Sequence, residues 1–206
     1  MEYILEANNI EKKYGNFKAL NNLSMHIPKG AIYGLIGKNG AGKTTLIRLL
    51  CGLQKVTSGE YTIYGISNNS RRIAQARKRI GGIIETPSIC SDMTAIDNLK
   101  EQYKIIGLPS FNKLNEILKL VGLENTGKKA AKHFSLGMKQ RLGIAISLVG
   151  NPDLLILDEP INGLDPEGII EIRELILTLN KEKGITFLIS SHYLDELSKI
   201  ATCYGI

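Results

Sequence analysis

The chain has 206 residues, 43% of them hydrophobic and 22% charged, with a net charge of +6. These are ordinary values for a soluble globular protein of one domain, or a domain with a lobe, and no apolar run approaches the ~20 residues a membrane-spanning helix needs. The basic residues are scattered in small clusters at Arg71–Arg72, Arg77–Lys78–Arg79 and Lys128–Lys129. They read as solvated faces rather than a nucleic-acid stripe, and no nucleic-acid partner is expected. Cys51, Cys90 and Cys203 form no CxxC pair, which argues against a zinc site or a disulfide framework and fits a reducing compartment. The opening "MEYILEANN" carries an acid at once and no long apolar core, so no signal peptide is expected. If the protein works at a membrane, another chain must do the spanning.

In chain order, "YILEANN" and "LSMHIPKG" read as short strands, an antiparallel start. "AIYGLIG" (31–37) is an apolar strand ending on glycine, and "KTTLIRLLCGL" follows it as a helix. "GEYTIYG" (59–65) is a strand between glycines; "RRIAQARKR" (71–79) is a short basic helix leading into the strand "IGGIIE". Residues 95–107 and 111–121 read as two helices joined by a Gly-Leu-Pro-Ser break, and a further helix starts near Ser135. Then come strand "DLLILD" (153–158), a helix over 166–183, strand "TFLIS" (186–190) and helix "YLDELSKIA". In the 166–183 helix Ile169, Ile172, Leu175, Ile176 and Leu179 recur at helical spacing, which predicts one face packed on a sheet. Apolar strands alternating with helices predict an α/β fold with a mostly parallel sheet covered on both faces. The helical stretch from about 86 to 150 interrupts that alternation as an inserted lobe between core segments 1–85 and 151–206. The final "TCYGI" looks like a strand just begun, so the natural chain is expected to continue.

Three motifs carry chemistry. "GKNGAGKT" (Gly37, Lys38, Asn39, Gly40, Ala41, Gly42, Lys43, Thr44) fits G-x-x-x-x-G-K-[ST], with a strand before it and a helix after it. Phosphate oxygens need many donors at close range; backbone N–H groups supply them, and glycines remove the Cβ atoms that would block approach. Lys43 supplies a cation for the phosphates and Thr44 a hydroxyl for Mg²⁺, with Thr45 as near neighbour. The second motif, "LLILDEP" (154–160), is a buried strand from which two acids emerge at the C-terminal edge, where α/β sheets place ligands. Asp158 is suited to hold Mg²⁺, and Glu159 to polarise an attacking water. In "HFSLGMKQR" (133–141), Ser135 caps a helix and Gly137 exposes backbone in its first turn. Glycine inside a helix costs about 1 kcal/mol relative to Ala, so capping alone does not explain it; an anion site at the helix N-terminus does.

Together these residues resemble the ATP-binding subunit of ABC transporters over nearly the whole chain. "GKNGAGKT" resembles the family's Walker A loop and "LLILDE" its Walker B strand. "FSLGMKQR" resembles the signature segment: Ser135, Gly137, Gln140 and Arg141 match, whereas Leu136 and Met138 depart from the common Gly and Gln. "INGLDP" resembles the D-loop through Asp165; His192 in "LISSHYLDEL" falls at the switch histidine; Tyr14 in "KKYGNFKAL" looks like the aromatic that stacks on adenine.

The resemblance implies a P-loop NTPase fold with a small antiparallel β subdomain and an inserted α-helical lobe, all one ATPase domain. It implies ATP and Mg²⁺ as cofactors, and Glu159 and His192 as catalytic residues. It implies a homodimer that sandwiches ATP between Walker A of one subunit and Ser135 and Gly137 of the other, and a separate multi-span permease. The expected place of work is the cytoplasmic face of a bacterial plasma membrane, as a peripheral motor. In the family the strand before "TPSIC" ends on a glutamine; here Glu85 takes that place, and it is expected to act as a site residue offering an oxygen to Mg²⁺ or water. Glu85 with "SLGMKQRLGIA" and "NGLDP" looks like the branch serving bacitracin and lantibiotic peptide-resistance exporters. The alternative is a related ATPase acting on ribosomes or nucleic acid; those relatives carry coiled-coil insertions or two fused cassettes, and this chain shows neither.

Overall fold

In the computed structural model, which describes residues 2–205, the chain opens on a long hairpin. Strands β1 (Tyr3–Tyr14) and β2 (Phe17–Pro28) pair antiparallel across a turn at Gly15, whose φ is +56°. Both strands are longer than the sequence pattern predicts. The asparagines that interrupt the pattern lie within the strands: Asn9 and Asn22 take φ of +51° and +55°, and the β1–β2 register shifts between Ala7 and Ile10. A short polar side chain tolerates that conformation, so the ladder kinks instead of ending. Strand β4 (Ser58–Ile63) pairs with the other edge of β1, and β5 (Ile66–Ser67) with β4, for an order β2-β1-β4-β5.

The second sheet is all parallel. Its order is β6 (Ile80–Ile83), β7 (Leu154–Asp158), β8 (Thr186–Ser191), β3 (Ile32–Ile36), β9 (Cys203–Gly205). Side chains alternate between its faces. Leu155, Leu157, Phe187 and Ile189 pack with helices α5 (Leu136–Leu148) and α6 (Pro166–Lys183). Leu154, Ile156, Leu188 and Leu35 pack with α1 (Lys43–Leu50) and with Leu5, Ile10, Ile27 and Ile63 of the first sheet. Both faces are thus covered, as continuous apolar strands require; each such side chain contributes about 1.5–3 kcal/mol on burial.

Between β4 and β7 run α2 (Ile73–Arg77), α3 (Ala95–Ile105), α4 (Leu114–Leu120) and α5. Thr94 caps α3 by accepting from Asp97 N at 3.2 Å, and Gly107, at φ +72°, lets the chain turn away after it. Leu99, Tyr103, Leu114, Ile117 and Leu118 belong to the same apolar cluster as Leu155 and Phe187, so the helical region shares a core with the parallel sheet. Helix α7 (Leu194–Leu197) is shorter than its pattern predicts: Ser198 Oγ donates to Asp195 O, a side-chain bond that competes with continued helix. Among the described residues no helix is long and apolar enough to cross a membrane.

Strands β7, β8 and β3 are neighbours, so their C-terminal ends and the loops that follow gather at one edge of the sheet. That edge is where α/β sheets bind ligands.

Candidate active site

The loop after β3 carries the phosphate motif. Gly40 and Gly42 take φ of +83° and +91°, and a Cβ on Gly42 would stand 2.5 Å from the carbonyl oxygen of Ala19. Only glycine fits there. Gly42 is the N-cap of α1, so Lys43 and Thr44 lie in the first turn and the positive end of the helix points at the loop. Lys43 is buried, and its ammonium donates to Gly37 O at 2.7 Å and Lys38 O at 3.3 Å.

Register explains the acids. Leu154, Ile156 and Asp158 of β7 alternate toward α1, as do Leu188 and Ser190 of β8, and Asp158 pairs with Ser190 on the last rung of that ladder. Thr44 Oγ1 on α1 donates to Asp158 Oδ2 at 2.7 Å. Ser190 Oγ donates to Asp158 Oδ1. Asp158 is nearly fully buried. The next residue, Glu159, leaves the strand in the left-handed region at φ +50°, at a cost of about 1–3 kcal/mol for a non-glycine. Its carboxylate spans two partners: Oε1 lies 3.2 Å from Lys43 Nζ and Oε2 2.8 Å from His192 Nδ1. Oε1 is buried and, among the described residues, accepts no hydrogen bond; the Lys43 ammonium reaches it as an ion pair off hydrogen-bond directions.

Lys43, Thr44, Asp158, Glu159 and His192 therefore converge at this edge of the sheet. The arrangement suits a triphosphate and a hard divalent cation. A loop whose glycine admits no Cβ leaves backbone donors open, a buried ammonium supplies the point charge, and Thr44 with Asp158 sets two hard oxygens side by side. Among the described residues no three His, Cys, Asp or Glu side chains gather as a ready-made metal centre, so a cation here would depend on phosphate oxygens and water for most of its ligands. Mg²⁺ in phosphate sites is held that way.

Glu85 does not join this group. It follows β6 at φ +64°, its side chain is more than half exposed, and its carboxylate is ion-paired with Arg48 near the end of α1. Arg48 could not be foreseen as its partner from sequence distance. Tyr14 ends β1 with its ring about half exposed; its hydroxyl donates to Gln54 Oε1 and Lys12 Nζ lies 5.1 Å from the ring centre. Such a ring presents a face for stacking.

Ser135 and Asp165 cap two helices side by side. Ser135 Oγ accepts from Met138 N at 3.2 Å at the start of α5, and Asp165 Oδ1 accepts from Gly168 N at 3.2 Å at the start of α6. Between them Ser135, Gly137, Gly163, Leu164, Asp165 and Glu171 line an open groove of about 480 Å³. Leu136 and Ile170 stand about half exposed at 48% and 49%. The residue that sequence reasoning missed is Ser190: nothing in "LISSH" separates it from Ser191 until the β7–β8 register is known.

Comparison with known proteins accords with this geometry. Residues 20–162 match the model of the family described as ABC transporter. The bacitracin transport ATP-binding protein BcrA of Bacillus licheniformis is 48% identical over 206 residues, covering 100% of this chain and 67% of that protein. The lantibiotic transport ATP-binding protein SrtF of Streptococcus pyogenes is 47% identical over 202 residues, covering 98% of this chain and 86% of that protein. Among solved structures, cbiO1 from Clostridium perfringens, part of an ABC transporter complex, superposes with a TM-score of 0.86 at 30% identity, covering 98% of this chain and 83% of that one. An ATP-binding cassette in its ADP conformation superposes with a TM-score of 0.87 at 28% identity, covering 98% and 85%. The α/β fold, the phosphate loop and the acids at the sheet edge thus meet in one assignment: this chain belongs to the ABC transporter family, as an ATP-binding ATPase subunit.

Proposed function

We propose that the chain is the motor of a peptide exporter, hydrolysing ATP to drive a separate permease that expels an antimicrobial peptide of the bacitracin or lantibiotic kind. The observation that carries the motor role is the Lys43–Glu159–His192 chain, in which one carboxylate bridges the loop cation and an imidazole. The peptide class is supported by the 47–48% identity to proteins named for bacitracin and lantibiotic transport.

In this reading the backbone N–H groups of residues 38–44 and the Lys43 ammonium hold the β- and γ-phosphates, and Tyr14 stacks on the base. Thr44 and Asp158 would hold Mg²⁺, whose charge offsets that building up on the phosphate oxygens. An incoming phosphate competes with Glu159 for Lys43, and that exchange releases Oε1 to take up a water proton. The deprotonating water attacks the γ-phosphorus, the bond to the β–γ bridging oxygen breaks, and ADP leaves with the electron pair. His192, fixed through Nδ1, presents its other ring nitrogen toward the transferring group.

The half-exposed Leu136 and Ile170 and the groove between Ser135 and Asp165 support a head-to-tail homodimer in which Ser135 and Gly137 meet the partner's nucleotide. A related cassette has been solved as a dimer in a post-hydrolysis state bound to ADP and Pi. Glu85, beside Arg48, acts in this reading from the rim of the site. The chain works at the cytoplasmic face of a bacterial membrane, held there by its permease. The test is co-expression with the permease in a peptide-sensitive host. Resistance that disappears with Glu159→Gln supports the reading; a permease that confers the same resistance without an active motor overturns it.

A further inference from the structure

We propose that Ser190 is a positioning residue for both acids of the site, a role that rests on the ATPase reading of that site. The Ser190 side chain is fully buried at the end of β8. Its hydroxyl has one hydrogen to give and two lone pairs to receive with. The hydrogen goes to Asp158 Oδ1. One lone pair takes the backbone N–H of Glu159, at 2.9 Å, while the Ser190 carbonyl shares the same N–H at 3.2 Å. One hydroxyl thus fixes the carboxylate of one acid and the backbone of the next.

Both attachments matter for different reasons. Asp158 has two side-chain anchors, Thr44 Oγ1 on Oδ2 and Ser190 Oγ on Oδ1. With a cation at the site, Oδ2 of Asp158 and the lone pairs of Thr44 Oγ1 would face it, and Ser190 would hold Oδ1, the carboxylate oxygen on the other side. Glu159 sits at φ +50°, a conformation that persists only where its surroundings impose it. The paired bonds from its N–H to Ser190 impose it, and that backbone setting carries the carboxylate to Lys43 and His192. The neighbouring Ser191 does different work: its Oγ accepts from Tyr193 N at 2.9 Å and its carbonyl from Gly37 N at 3.3 Å. The two adjacent serines are therefore not interchangeable.

The experiment compares Ser190→Ala, Ser190→Cys and Ser190→Thr in the full chain with wild type. Losing one buried hydrogen-bonding partner predicts kcat down about 10–100-fold for Ala and Cys. The KM for ATP should stay within about twofold, and the Mg²⁺ concentration that half-saturates binding of a fluorescent ATP analogue should rise several-fold. Thr keeps the hydroxyl and should recover most of the turnover. In a Glu159→Gln background at saturating Mg²⁺, Ser190→Ala should add less than its full loss of turnover, because the part of its effect that runs through Glu159 is already gone. Cys nearly matches Ser in volume and bonds weakly, so it carries the test if Ala fails to fold. Wild-type kcat and Mg²⁺ dependence in Ser190→Cys, or failure of Thr to rescue a folded protein, overturns the proposal. A wild-type chain without ATPase activity overturns the reading beneath it instead.

Discussion

The ammonium of Lys43 lies 3.2 Å from Oε1 of Glu159, so the cation of the phosphate loop and the acid beyond β7 neutralise one another across the site. A phosphate and Glu159 therefore compete for the same charge. Glu159→Gln removes the competitor, and its ATP affinity should equal or exceed that of wild type by a few-fold. Lys43→Ala removes the shared cation, and a lost charge-assisted contact predicts affinity down about 10–100-fold. Titration calorimetry with ATP reads both; weaker binding by Glu159→Gln contradicts the competition.

His192 Nδ1 stands 2.8 Å from Glu159 Oε2, and its ring lies 3.9 Å, centre to centre, from that of Tyr193. The imidazole is held rather than free to swing. His192→Ala should lower kcat about 100-fold or more, in the range found for a positioned acid–base group, with ATP affinity little changed. Pre-steady-state hydrolysis separates the two; a change confined to affinity removes His192 from the chemistry.

Gly42→Ala places a Cβ 2.5 Å from Ala19 O at a φ of +91°. Strain of about 1–3 kcal/mol should lower the melting temperature by several degrees, at about 2–4 °C per kcal/mol for a chain of this size, and nucleotide binding should fall with it. Gly15, with nothing within 4 Å of its Cβ position, is the control at a similar φ of +56°: strain without a clash, and normal ATP binding in Gly15→Ala.

Glu85 is ion-paired with Arg48. An exposed pair of this kind contributes about 0–1 kcal/mol, so Glu85→Gln should unfold within a few degrees of wild type. Its Mg²⁺ requirement for turnover should lie within about twofold of wild type. A requirement raised many-fold returns Glu85 to the metal.

The phosphate loop, both acids and the helix cap at Ser135 are legible because their chemistry is local: spacing puts Lys43 and Thr44 in one helical turn, and a β strand delivers Asp158 and Glu159 to its own end; the cap at Asp165 is seen only in the structure. The parallel sheet was legible because strands buried on both faces read as unbroken apolar runs, as in "LLILD". Strand lengths in the first hairpin were not, since Asn9 and Asn22 look like strand breakers and act as kinks within a continuing ladder. Partners set by register or by distant segments stayed hidden: Ser190 beside Asp158, 32 residues apart, and Arg48 against Glu85, 37 apart. Sequence places Glu85 after its strand but says nothing of the arginine that α1 brings to meet it.

The measurement that bears most directly on the motor role is hydrolysis of a single round of bound ATP, in Mg²⁺, by wild type and by Glu159→Gln, with the oligomeric state followed by sedimentation. The arrangement of Lys43, Glu159 and His192 predicts that Glu159→Gln binds ATP, hydrolyses it at least about 100-fold more slowly, and accumulates as a dimer that wild type forms only transiently. Hydrolysis by Glu159→Gln at the wild-type rate would contradict it.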